Sequence, residues 1–126
     1  MKRAVQTQQA PAPIGPYSQA VQHGNLLFVS GQIPVDAEGR LETGDIGRAT
    51  RLVMDNISAI LEAAGMGMQN VVKVSIFLRD MADFAVVNEV YGSYFTDGIP
   101  PARETVQVAR LPKDVPVEIS VIAAKE

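Results

Sequence analysis

The spacing of apolar positions divides the chain into a short series of elements. Ala20 to His23 meets Gly24-Asn25, and Leu26-Leu27-Phe28-Val29-Ser30-Gly31 resumes with strand-forming residues, which predicts a β-hairpin with His23 at its turn. Ser30-Gly31-Gln32-Ile33-Pro34 ends the second strand, and Asp36 to Gly44 reads as loop. From Asp45 the pattern changes period. Ile46, Ala49, Val53, Ile57, Ile60, Leu61 and Ala64 recur at helical spacing, with Arg48, Arg51, Asp55 and Glu62 mostly off that stripe. Asp45 is placed to cap the helix and Gly65 to end it.

Val71 to Arg79 predicts a strand with Val72, Val74, Ile76 and Leu78 on one face and Val71 and Phe77 on the other, so both faces need cover. A second helix is expected from about Asp83 to Phe95, with Phe84, Asn88, Tyr91 and Phe95 on its apolar stripe. Asn88 on such a stripe must find partners: it either ties the helix to backbone or reaches into a site. After Thr96-Asp97-Gly98-Ile99 come two more strands. The first follows Pro100-Pro101, with Arg103, Thr105 and Gln107 on one face and Val106 and Val108 on the other; the last, Pro116 to Ala124, puts Glu118, Ser120 and Ile122 on one face and is expected beside it. The order β-β-α-β-α-β-β indicates an α+β fold with both helices on one side of a sheet. In a chain this short, the natural cover for the other side is another subunit.

With 126 residues, 47% of them hydrophobic and 20% charged, the chain fits one ordinary globular domain spanning 1–126. The absence of cysteine removes disulfides, thiolate metal sites and thiol nucleophiles, and a single histidine, His23, is too few for a typical zinc or iron site. A net charge of -3 argues against a broad grip on a phosphate backbone, so no nucleic-acid partner is expected. The basic residues Lys2 and Arg3 have no apolar run behind them, so no signal peptide is read; no membrane association is expected, and a cytoplasmic location is the default.

The residue that points most directly to chemistry is Arg103. It sits at the mouth of a strand behind a rigid Pro-Pro turn, where its fork of N–H donors can be aimed at a planar carboxylate. The same position also suits a solvated charge or half of a surface ion pair. Gly31, at another strand end, allows close backbone approach either to a ligand oxygen or at a bulge.

Taken together and in order, Ile14-Gly15-Pro16-Tyr17, Ser30-Gly31-Gln32-Ile33-Pro34, Asn56 to Gly65, Pro101-Ala102-Arg103 and Val108-Ala109-Arg110-Leu111-Pro112 resemble the Rid family, the YjgF-like reactive-intermediate deaminases. The resemblance covers nearly the whole chain. It implies a chorismate-mutase-like subunit that assembles as a homotrimer with clefts between neighbouring subunits. The activity it implies is hydrolysis of 2-iminopropanoate and 2-iminobutanoate to the 2-oxo acid and ammonia, with no cofactor and no metal. Under that resemblance Arg103 grips the substrate carboxylate, Tyr17 forms an aromatic wall, Ser30 and Gly31 line the site, and Asn88 stands at its edge.

Two positions depart from the family pattern. Thr105 stands where many members have cysteine and still offers a hydrogen-bond donor. The resemblance also sets Ser120 where a glutamate positions the attacking water, and matches Glu118 to a different family glutamate. A serine orients water but accepts a proton poorly. The expected catalytic set is therefore Arg103, Thr105 and Ser120. The alternative is a trimer that binds a 2-oxo or 2-imino acid with little turnover. Ribonuclease activity, ascribed to some relatives, fits poorly with the acidic balance and the single histidine.

Overall fold

The computed structural model describes all 126 residues, Met1 to Glu126. Strands β1 (Arg3–Val5), β2 (Ala20–His23), β3 (Leu26–Gln32), β4 (Val71–Leu78), β5 (Ala102–Gln107) and β6 (Val117–Ala124) form one sheet in the order β1-β2-β3-β6-β4-β5. Helices α1 (Ile46–Ala63) and α2 (Phe84–Gly92) complete the α+β fold. All neighbouring strands run antiparallel except β4 and β5, which are parallel. Parallel neighbours need a crossover, and the segment carrying α2 supplies it.

Local chemistry sets the helix ends. The Asp45 carboxylate accepts a hydrogen bond from the Arg48 amide at the start of α1. At its end Gly65 takes a positive φ of 73°, and Met66 N–H bonds back to the Leu61 carbonyl, as the apolar spacing and the glycine predict. The apolar stripe of α1, including Val53, Ile57, Ile60 and Leu61, packs on alternate residues of the central strands: Leu27 and Val29 of β3, Val74, Ile76 and Leu78 of β4, and Val117, Ile119 and Val121 of β6. Burial of these side chains is the main stabilising term of the fold.

Several expectations change on contact with the structure. The N-terminal strand β1 was not anticipated; its three residues are too few to show a period, and Val5 supplies its buried position. Helix α2 is shorter than its stripe suggests, beginning at Phe84 after a 3₁₀ turn and stopping at Gly92, so Phe95 lies beyond it. In β4 a bulge between Val71 and Lys73 reverses the expected faces there: Val71 joins the core while Val72 is 49% exposed. Strand β6 is not beside β5, because β4 lies between them.

The helices cover one face of the sheet. The other carries Phe28, 43% exposed, and Val106, 42% exposed, together with the Lys73–Glu104 ion pair at 3.0 Å. No helix is long and apolar enough to cross a membrane.

Candidate functional site

The residues singled out from sequence fall into two groups on opposite faces of the sheet. Arg103 pairs in register with Val74, a core residue, so its side chain leaves β5 on the helix side. There Arg103 Nη1 donates to Asn88 Oδ1 at 2.7 Å. Its guanidinium carbon lies 5.0 Å from the centre of the Tyr91 ring and 5.7 Å from that of Phe84. No carboxylate pairs with Arg103, although six other close ion pairs are formed in the chain. Two residues along the strand on the same face, Thr105 Oγ1 is buried with no hydrogen-bond partner. An unpaired cation beside an unpartnered hydroxyl is what a small carboxylate would complete.

Asn88 is exposed, not buried as its place on the stripe suggested. The stripe of Phe84, Asn88 and Tyr91 does not lie wholly on the core. Part of it forms a cradle for Arg103, and the tie that Asn88 makes is to that side chain.

The second group lies at the end of β3. Between Val29 and Gln32 the register with β6 shifts by one, so Ser30 and Gly31 together stand opposite Ser120. The Ser30 hydroxyl donates to the Ser18 carbonyl at 2.6 Å, and the Ser30 amide donates to the Gln19 carbonyl at 2.9 Å. These bonds fix the segment that carries Tyr17. Gln19, 3% exposed, anchors the same segment from within: its amide side chain donates to the carbonyls of Thr7, Ala10 and Pro11 and accepts from the Thr7 amide. Its role is not legible from sequence, where it is one glutamine among several.

Tyr17, Ser30, Gly31, Ile14, Ile33, Pro112 and Glu118 line a cleft of about 350 Å³. It adjoins a wider cleft of about 580 Å³ between the N-terminal segment, the 33–41 loop and α1. The carboxylate of the smaller cleft belongs to Glu118, and burial raises its pKa above the ordinary glutamate value. Ser120 lies one pleat further along β6, in register with Ser75, and does not line this cleft. In the single chain it is thus Glu118, and not Ser120, that faces this cleft. Alternation with buried Val117, Ile119 and Val121 puts both Glu118 and Ser120 on the face opposite the core, so the sequence pattern alone did not single out Glu118. His23 is exposed at the hairpin turn as expected, and no group of three or more acidic or histidine side chains is placed to hold a metal.

Within one chain Arg103 and Glu118 cannot meet, because β6 sends Glu118 to the face opposite the helices. The two groups therefore stand on opposite faces of the same sheet.

Comparisons with known proteins find relatives over nearly the whole chain. The family profile described as endoribonuclease L-PSP matches residues 7–125. A RutC family protein of Pyrococcus horikoshii is 55% identical over all of both chains. The 2-iminobutanoate/2-iminopropanoate deaminase of Escherichia coli K12 is 45% identical over 99% of each. Among solved structures, E. coli TdcF with bound serine superposes with a TM-score of 0.94 at 43% identity, covering 98% of this chain and 99% of that one. The YjgF gene product of E. coli gives a TM-score of 0.94 at 45% identity over the same shares.

Proposed function

The chain belongs to the endoribonuclease L-PSP family, in its YjgF/Rid group, and from that premise we propose that it hydrolyses small 2-imino acids such as 2-iminopropanoate and 2-iminobutanoate to 2-oxo acids and ammonia. The observation that carries this reading is Arg103, held in place without a carboxylate partner beside the unpartnered hydroxyl of Thr105.

In this reading Arg103 takes the substrate carboxylate through its free N–H donors, and Thr105 donates a further hydrogen bond. Glu118, from a second copy of the chain, holds a water against the imine carbon and accepts its proton. Tyr17 of that copy closes the pocket, and Ser30 and Gly31 shape its floor. Water adds to the carbon of the protonated imine to give a carbinolamine, and Glu118 returns the proton it took to the nitrogen. The C–N bond then breaks as the hydroxyl gives up its proton to Glu118, leaving the 2-oxo acid and ammonia. The imine is already electrophilic once protonated, so orientation supplies much of the effect. The copies assemble as a homotrimer through the sheet face that the helices leave open, which bears Phe28 and Val106. The protein's own residues suffice, with no cofactor.

The alternative, a metabolite-binding trimer with little turnover, rests on Ser120 standing in place of a glutamate; the Glu118 carboxylate in the cleft supports turnover instead. The endoribonuclease of the family's description gains no support from a chain of net charge -3 with one exposed histidine.

The test couples the protein to a pyridoxal-phosphate-dependent dehydratase acting on serine or threonine, with semicarbazide trapping the imine. Wild type is expected to speed imine loss, and Arg103→Ala to abolish the acceleration. An unchanged rate in Arg103→Ala would sink the proposal.

A further inference from the structure

Phe84, Asn88 and Tyr91 follow one another at i, i+4 and i+7, one stripe of α2. The two rings are two turns apart, about 10 Å of helix rise. The Arg103 guanidinium carbon lies 5.7 Å from one ring centre and 5.0 Å from the other, so the cation occupies the space between them. Asn88, midway along the stripe, fixes its rotation through a 2.7 Å hydrogen bond. Tyr91 is itself held: it is 7% exposed and packs on Phe95 with ring centres 4.9 Å apart.

An arginine can be held in place by a carboxylate, but that partner would neutralise the charge and occupy the fork the substrate needs. Ring faces attract a cation through their quadrupole without taking up an N–H donor. Asn88 takes a single donor of the five and brings no charge. This arrangement therefore holds Arg103 still and leaves most of its fork for an incoming anion. Phe84 remains 37% exposed, so this side of the cradle lies at the surface.

We infer that Phe84 and Tyr91 are positioning residues for anion capture, acting through Arg103 by keeping it oriented and unneutralised for a planar carboxylate. This rests on the reading of Arg103 as the carboxylate grip. It goes beyond that reading by assigning a role to two aromatic residues that do not themselves contact the reacting atoms.

The test uses full-length wild type, Phe84→Leu and Phe84→Tyr, with 2-oxobutanoate as the binding probe in calorimetry and the coupled imine assay for turnover. Leucine removes the quadrupole and keeps an apolar side chain, whereas tyrosine keeps the ring. Phe84→Leu is expected to weaken 2-oxobutanoate binding and raise KM about tenfold, leaving kcat within about twofold, while Phe84→Tyr retains wild-type values. Wild-type binding in Phe84→Leu, or equal damage in Phe84→Tyr, overturns the inference. Should Phe84→Leu fail to fold, Asn88→Ala, on the exposed helix surface, is expected to weaken 2-oxobutanoate binding in the same way, and unchanged binding counts against the cradle. If the probe responds as described but no imine is hydrolysed by wild type, the cradle stands and the deaminase reading falls. If imine is hydrolysed and Phe84→Leu is indifferent in both measurements, the reverse holds. Absence of 2-oxobutanoate binding by wild type overturns both.

Discussion

Gly31 lies directly against the carboxylate of Glu118: a Cβ on Gly31 would overlap Oε2 and stand 2.8 Å from Cδ. No positive φ demands glycine there, so the close approach of the Glu118 side chain is what excludes a larger residue. The obstructed atoms are the far end of a flexible side chain, so an alanine displaces the carboxylate and spares the backbone. Gly31→Ala is expected to fold normally and keep its grip on 2-oxobutanoate while kcat falls by as much as about 100-fold, the scale expected when a catalytic group is misplaced by about 1 Å. Thermal unfolding and the coupled assay check both halves.

Glu118 ties activity and stability to pH in opposite senses. Burial raises its pKa, so the folded chain holds the proton more firmly than the unfolded chain does. Its contribution to stability is then greatest below the ordinary value of 4.5 and declines as pH rises through the raised folded value. With Glu118 as the base of the proposed hydrolysis, turnover needs its ionised form and is expected to rise over the same interval. Glu118→Gln is expected to melt higher than wild type at pH 7, with the difference closing below pH ~4, and to lose the rising acid limb of the rate profile together with most activity. Melting curves and rate profiles on the two proteins measure this.

Ser120 stands opposite the Ser30-Gly31 bulge and outside the cleft lined by Tyr17 and Glu118. Ser120→Ala is therefore expected to keep turnover within about twofold, well short of the effect of removing a proton-transfer group. Ser120→Glu is expected to bring no gain. Imine assays on the two variants would show a rescue by glutamate if Ser120 were instead the vacant catalytic position.

Much of this was written in the chain. The stripe from Ile46 to Ala64, capped by Asp45 and closed by Gly65, gave α1 nearly to the residue, because a long amphipathic period leaves little ambiguity. Arg103 stood out because a rigid turn and a strand start restrict it, and the structure leaves it without a carboxylate partner, bonded to Asn88. The bulges were not legible: the one in β4 moved Val72 out of the core, and the one in β3 set two residues against Ser120. Each depends on pairing with a distant strand, which no local period records. Glu118 and Ser120 share a face, so alternation could not choose between them; the cleft could. The cradle around Arg103 stayed hidden because Phe84 and Tyr91 read as core, and only the packing of β5 beside α2 shows what lies between them.

On the proposed reading one site is built from two chains, Arg103 coming from one and Glu118 from the next. Mixing Arg103→Ala with Glu118→Gln decides whether the two residues meet across chains. The two inactive proteins are unfolded together in equal amounts, refolded, and assayed for imine hydrolysis. Random assembly brings an intact Arg103 against an intact Glu118 in about one quarter of the sites of a cyclic oligomer, so about one quarter of wild-type activity is expected to return. A refolded mixture no more active than either variant alone would show that Arg103 and Glu118 do not form one site across chains.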